Sequence, residues 1–168
     1  MFDAGELVVY GNSGVYRVLE VGSIGIKGCE GKQYYTMEPV FGSGTSYVPV
    51  DTGVFMRKVM TADEANALID SIPEIGEEDF SERNPRLVRE HYSASMKSHD
   101  TAELISMIKE IWHRGERAKS LNRKLSRAEQ QFLEQAENLV YGEFSVVLGI
   151  PREEVLGYIR TRIEARAN

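Results

Sequence analysis

The sequence changes character abruptly near residue 60. Ten of its 15 glycines lie before residue 54, and the other five are spread over the remainder of the chain. Before the change, short runs of β-branched and aromatic residues alternate with turn-forming glycines. After it, apolar residues recur at helical spacing. We therefore predict two domains, a β domain over residues 1–60 and a helical domain over residues 61–168.

The first 60 residues contain five short segments with strand character. They are Glu6–Tyr10, Val15–Val21, Gln33–Phe41, Ser46–Asp51 and Val54–Val59. Gly42 and Gly44 stand between the third and fourth segments and predict a hairpin there. So many short strands in so short a stretch predict a small, strongly bent β-barrel, which can hold only a small core.

Capping signals and apolar stripes predict about five helices after residue 60. Thr61, Asp100 and Ser126 each stand three residues before a glutamate, which is the pattern of a capping box. Pro85 and Pro151 predict two further helix starts. The predicted fold is therefore of the α+β multi-domain class, a small β-barrel followed by a C-terminal bundle of about five α-helices.

Composition excludes several classes of protein. The chain has 20 basic and 26 acidic side chains, a net charge of −6, which argues against a basic nucleic-acid binder. No segment approaches the roughly 18 consecutive apolar residues of a membrane span, and the N-terminus lacks the features of a secretory signal. Cys29 is the one cysteine, so no internal disulfide forms. We expect a cytoplasmic protein with no membrane partner.

The chain carries no recognisable catalytic or cofactor motif. The segment Gly42-Ser43-Gly44 lacks the Lys-Ser/Thr ending of a phosphate-binding loop and has strands on both sides. His91, His99 and His113 do not have the spacing of metal ligands, and Cys29 has no adjacent base. The sequence therefore predicts a protein that is not an enzyme, with no cofactor, no metal and no small-molecule substrate.

A basic segment interrupts the acidic helical domain. Residues 109–127 carry seven basic and two acidic side chains, whereas residues 61–168 as a whole have a net charge of −5. The seven basic residues, here called the basic island, are Lys109, Arg114, Arg117, Lys119, Arg123, Lys124 and Arg127. Arg83, Arg86 and Arg89 add a row at a spacing of three. A basic loop between helices can reach phosphates, which indicates DNA contact; the alternative is a solvated surface near a helix C-terminus.

In order and spacing, the motifs of the chain resemble the CarD/CdnL family of bacterial transcription regulators. Residues 5–15, GELVVYGNSGV, are similar to that family's opening G-D-x-V-V-Y-x-x-x-G-x. In the second half, Ser98-His99-Asp100 is similar to the family's S-G-D joint and Ile111–Arg114 to its L-W-x-R motif. The resemblance covers nearly the whole chain; its other segments are 26–28, 34–37, 48–51, 125–133 and 139–143.

The resemblance implies a Tudor- or SH3-like N-terminal domain that binds the RNA polymerase β subunit through an exposed strand edge. It implies that the helical domain contacts promoter DNA upstream of the −10 element and stabilises the open complex. The predicted polymerase contacts are Ile24, Lys27, Tyr47, Val48 and Pro49. The predicted DNA contacts are Phe80, Arg86, Arg89, Lys109, Arg114, Arg117, Lys119, Arg123 and Arg127.

The sequence departs from the family pattern at three positions. The family's tryptophan before the S-G-D joint, which inserts at the edge of the melted bubble, is missing. Phe80 is the nearest aromatic residue, and we predict it as the wedge; its alternative is a ring that packs the loop onto the bundle. Tyr47 and Gln130 stand where the family often has basic residues. Trp112 belongs to the L-W-x-R helix and is predicted to be partly core.

Three interpretations remain open. The first is a polymerase-bound regulator with DNA contact, the second an adaptor of the same fold without DNA binding, and the third an unrelated protein, such as an enzyme with an unrecognised site. Exposed arginines of the basic island gathered beside Phe80 would favour the first, and their pairing with acidic neighbours the second. A polar cleft containing His91 or His99 with a carboxylate would favour the third.

Overall fold

The computed structural model describes residues 1–77 and 80–168. These residues form two compact units, residues 1–60 and residues 61–168. The first unit contains five strands and the second contains five α-helices. The predicted succession of β-strands and then helices is therefore confirmed for the part of the chain that the structure describes.

The strands of the first unit form one antiparallel sheet. They are β1 (Leu7–Tyr10), β2 (Gly14–Gly22), β3 (Tyr34–Pro39), β4 (Ser46–Pro49) and β5 (Met56–Lys58). Their order in the sheet is β4-β3-β2-β1-β5, which leaves β4 and β5 at the edges within the described residues. The closure of this sheet into a barrel stays a prediction.

Alternating side chains give the first unit its core. Val8 on β1, Val18 on β2, Met37 on β3 and Val48 on β4 are all buried in one cluster. Because side chains point to opposite faces at successive strand positions, burial of Val48 places Tyr47 on the other face. The side chain of Tyr47 is accordingly half exposed.

The helices of the second unit begin at or near the predicted caps. They are α1 (Ala62–Ser71), α2 (Pro85–Lys97), α3 (Thr101–Ser120), α4 (Arg127–Leu148) and α5 (Val155–Ala167). Thr61 and Ser126 form the predicted capping boxes. Asp100 caps α3 differently, because its carboxylate accepts a hydrogen bond from the Ala102 N–H at 2.9 Å, two residues on rather than three.

Each helix of the second unit buries at least one large side chain completely. The largest fully buried residues are Ile69, Tyr92, Ile111, Phe144 and Val155, from α1 to α5 in turn. This arrangement follows from the helical spacing of the apolar residues. Among the helices described, none is both long enough and apolar enough to cross a membrane.

The short joint between α2 and α3 contains a residue with left-handed backbone. His99 has a φ of 54°, in the region that glycine adopts most readily after a helix. In the resemblance predicted from sequence, His99 stands at the glycine of the S-G-D joint, and glycine would adopt this φ without strain.

Candidate functional site

The outer side of β4 offers main-chain groups to a partner. The Val50 N–H donates to the Gln33 carbonyl oxygen at 3.1 Å. Because hydrogen-bonding direction alternates along an antiparallel pair, the N–H and C=O of Tyr47 point away from β3. No other described strand pairs with this side. Since Pro49 has no N–H, Tyr47 supplies the main-chain donor of this short edge.

The five predicted polymerase contacts have different environments. Tyr47 is 49% exposed, whereas Val48 is only 4% exposed and belongs to the core of the sheet. Val48 pairs with Tyr35 of β3, so its main-chain groups face β3 and its side chain lies in the core. Pro49 is half-buried at the end of the same strand. Ile24 is half-buried and Lys27 is exposed, and both lie in the connection between β2 and β3 rather than on β4.

One side of α3 holds the segment of chain that follows α1. Ser106 Oγ donates to the Gly76 carbonyl oxygen at 2.6 Å. Lys109 Nζ donates to the carbonyl oxygens of Ile72 and Ile75, at 2.9 and 2.6 Å. The ammonium group of Lys109 is thus used within the second unit.

Arg114 is also engaged within the second unit. Its Nε donates to Glu129 Oε2 at 3.0 Å, and both side chains of this ion pair are 11% exposed. Its Nη1 and Nη2 donate to the carbonyl oxygens of Phe80 and Glu82, at 2.7 and 2.9 Å. All three guanidinium nitrogens are therefore occupied, so Arg114 holds residues 80–82 against α3 and α4.

Phe80 is half-buried rather than exposed. Its ring stacks on His91 with a centroid distance of 3.7 Å. The guanidinium carbon of Arg114 lies 5.4 Å from the centre of the same ring. These contacts favour the second interpretation of Phe80, a ring that packs its loop onto the helical bundle. Glu78 and Asp79, the neighbouring acidic residues of the sequence, lie outside the described residues.

His91 belongs to a packed network. Its Nε2 is 3.2 Å from Glu110 Oε2, and Glu110 is 4% exposed. Burial, reinforced by the Glu110 carboxylate, raises the pKa of the neighbouring Tyr92 hydroxyl. The Phe80 ring stacks on the imidazole of His91. The His91–Glu110 pair therefore has the packed surroundings of a core interaction. Within residues 1–77 and 80–168, no group of His, Cys, Asp and Glu side chains is arranged to hold a metal ion.

Four exposed cations of the second unit line a groove with a volume of about 510 Å³. They come from three segments of the chain: Arg83 precedes α2, Arg117 lies on α3, and Arg123 and Lys124 lie in the connection to α4. The inner wall contains Arg114 with its ion-pair partner. We call this feature the basic groove.

The charge of the basic groove is largely uncompensated. Glu129 is the one carboxylate among the described residues that line it, and it is paired with Arg114. The side chains of Arg83, Arg117, Arg123 and Lys124 form no ion pair within the described part of the chain. Four cations that line one groove and have no ion-pair partner among residues 1–77 and 80–168 produce a positive potential that attracts anions.

The other predicted DNA contacts are distributed around the second unit. Arg86 and Arg89 are exposed on α2, where Arg86 lies 3.9 Å from Glu90. Lys119 borders a shallower depression of about 550 Å³ that shares Arg123 and Lys124 with the basic groove. Arg127 is exposed at the first residue of α4. The structure thus brings Arg117 and Arg123 together, while Arg86 and Arg89 stay on another helix.

Two residues of the basic groove, Arg83 and Lys124, are missing from the contacts predicted from sequence. The sequence places Arg83 in a helical row with Arg86 and Arg89, but α2 is capped by Asn84, whose side chain accepts from the Arg86 N–H. Arg83 therefore precedes the helix and diverges from the row. The N-cap signal at Asn84 could have identified this separation.

Comparison with known proteins identifies the first unit. Residues 2–60 match the family model described as CarD-like/TRCF RID domain. That domain is an RNA polymerase β-interacting domain, and the match confirms the resemblance to the CarD-like family over this unit. No curated protein matches the chain.

Proposed function

We propose that this chain, whose residues 2–60 form a CarD-like/TRCF RID domain, is a bacterial transcription regulator. It binds the RNA polymerase β subunit through the edge of β4 and stabilises the promoter open complex through DNA contacts of its second unit. The match to a polymerase-interacting domain carries the proposal. The CarD-like family consists of non-enzymatic transcription factors, so we infer that this chain affects transcription by binding rather than by catalysis. It would act in the cytoplasm, where polymerase meets the nucleoid.

The polymerase contact is a β-augmentation at β4. A partner strand would pair with the outward N–H and C=O of Tyr47 and rest against the exposed Tyr47 ring. Main-chain pairing supplies affinity, and the tyrosine ring, in place of the basic residue often found in the family, contributes specificity. The shortness of the edge and Pro49 at its end oppose unselective pairing with other chains.

Binding of the full chain to an isolated lobe of the polymerase β subunit tests this contact. We expect Tyr47→Glu to weaken binding by at least about tenfold, which corresponds to about 1.4 kcal/mol. Tyr47→Phe keeps the ring and the main chain and should bind nearly as well. Leu19→Glu, at a residue of β2 that is 42% exposed, is the matched control for an added charge in the same unit. Failure of the parent chain to bind at about 100 μM, a concentration that detects even weak complexes, would contradict the proposal.

The DNA contact is supported by the exposed cations that surround the basic groove. Arg117 and Arg123 are exposed, close together and without carboxylate partners among the described residues. Phosphate contacts by such residues are sequence-independent and weaken with salt. Attachment to polymerase raises the effective concentration of DNA near the groove, so a chain with a net charge of −6 can still contact the promoter.

A second candidate function is a polymerase-bound adaptor of the same fold without DNA binding. The internal bonds of Lys109 and Arg114, together with the stacked position of Phe80, favour it. Insertion of Phe80 into DNA requires the ring to leave His91. If Phe80→Ala leaves the lifetime of the open complex unchanged, Phe80 is not the wedge. If charge reversal in the basic groove also leaves the lifetime unchanged, the adaptor function is correct.

A further inference from the structure

The basic groove combines uncompensated cations with an apolar wall. Arg83, Arg117, Arg123 and Lys124 supply the charge, and Leu121 is 61% exposed beside them. Ala118 and Leu125 also line the groove. Leu121, Ala118 and Leu125 thus give the groove apolar surface beside its charge. This combination suits a ligand that has both an anionic part and an apolar part.

The cations favour phosphate as the anionic part. Arginine presents a planar fork of N–H donors that matches the oxygens of a phosphate or carboxylate, and lysine adds a point charge. Several such groups that converge on one volume suit a ligand with several charged oxygens rather than a single carboxylate. Arg114 neutralises Glu129, the lining carboxylate, and so removes the repulsion that an anion would meet at the inner wall.

The shape of the groove favours a compact ligand. Its volume of about 510 Å³ lies within the range of roughly 300–1,000 Å³ that is typical of small-molecule sites. A concave site of this size can hold neighbouring phosphates of one small molecule. The cations come from three separate segments of chain, so the site is built by the fold of the second unit.

We propose that the basic groove binds a free nucleoside polyphosphate. Arg117, Arg123 and Lys124 hold the phosphates, with Arg83 at the opposite side, and Leu121 contacts the base. The ligand is distinct from the promoter DNA of the proposed function, and it binds the second unit without polymerase. Because the polymerase contact lies on β4 of the first unit, failure of this proposal and failure of polymerase binding can be told apart.

Calorimetric titration of the full chain tests the site. The probes are ATP, adenosine and inorganic tripolyphosphate, in low-salt buffer without divalent cations. We expect ATP to bind with one-to-one stoichiometry, tripolyphosphate to bind more weakly, and adenosine not to bind. The double variant Arg117→Glu, Arg123→Glu should weaken ATP binding by at least about tenfold. Leu121→Ser should weaken the binding of ATP but not of tripolyphosphate.

The controls separate a built site from general surface charge. Arg160→Glu changes an exposed arginine on α5, which does not line the groove, and should leave ATP binding unchanged. Equal loss of binding in Arg160→Glu and in the groove variant would overturn the proposal. So would the absence of ATP binding at about 1 mM, close to the weak limit of specific association. Binding of a short DNA duplex under conditions in which ATP does not bind would assign the groove to DNA alone, and would overturn it as well.

Discussion

Two arginines three positions apart on α3 illustrate how burial decides what a residue does. Arg114 is nearly buried and bonded to Glu129 and to two carbonyl oxygens, whereas Arg117 is exposed. We expect Arg114→Ala to lower the free energy of unfolding by about 3 kcal/mol, because Glu129 is left as a buried, unpaired charge. Arg117→Ala should change it by less than about 0.5 kcal/mol. Urea denaturation of both variants measures the difference; similar effects would show that Arg114 does not hold the fold.

The left-handed backbone of His99 predicts an unusual order of stabilities. A residue with a side chain pays roughly 1 kcal/mol or more for a φ of this sign, whereas glycine does not. His99 has a φ of 54°. We therefore expect His99→Gly to be more stable than His99→Ala by about 1 kcal/mol. Both variants remove the imidazole, so their difference isolates the backbone contribution. Thermal unfolding in which alanine equals or exceeds glycine would contradict this explanation.

The elements were easier to predict than the contacts between them. Helix starts depend on local hydrogen bonds, so Thr61 and Ser126 marked α1 and α4 correctly from sequence alone. Arg114 and Phe80 could not be placed in the same way. Arg114 bonds to Phe80 and Glu82, more than thirty positions away, and no local periodicity encodes such a contact. Net charge over a segment likewise fails to distinguish a cation in an internal bond from an exposed one.

The junction of α1 and α5 should give the second unit a defined pH dependence. Arg162 donates two hydrogen bonds to Asp70, at 2.7 and 3.0 Å. The bonding and charge of Arg162, with a smaller contribution from Arg166, hold the pKa of Asp70 below its ordinary value. A carboxylate with a lowered pKa stabilises the folded state above its unfolded pKa, about 3.9 for Asp, and loses that contribution as the pH falls through the folded value.

We therefore expect Asp70→Asn to be less stable than the parent near pH 7 and the difference to shrink as the pH approaches about 3. Urea denaturation followed by the helical circular dichroism signal measures it. Glu134→Gln, at an exposed position of α4, is the control and should show a smaller difference at every pH. If the difference in the free energy of unfolding between the parent and Asp70→Asn stays constant over this pH range, the ion pair does not respond to pH as described.

At the scale of the whole molecule, the two units differ in charge. The first unit is nearly neutral, with five basic and six acidic residues, while the second is acidic except around the basic island. The free chain should therefore bind DNA weakly, and polymerase binding should supply the local concentration that makes DNA contact effective. Because the two proposed tasks use different side chains, we expect mutation to separate them.

Two variants of the full chain test this separation. Tyr47→Glu should weaken polymerase binding and, with it, the effect on open-complex lifetime, because the second unit is brought to the promoter less often. The double variant Arg117→Glu, Arg123→Glu should bind the polymerase lobe normally, yet lose most of the lifetime effect. The salt dependence should change as well. When the logarithm of the lifetime effect is plotted against the logarithm of salt concentration, each lost phosphate contact should reduce the steepness of the line by about 1. If the double variant keeps the full lifetime effect at every salt concentration, the second unit acts without contacting DNA. If the same variant loses polymerase binding, the two surfaces are not independent.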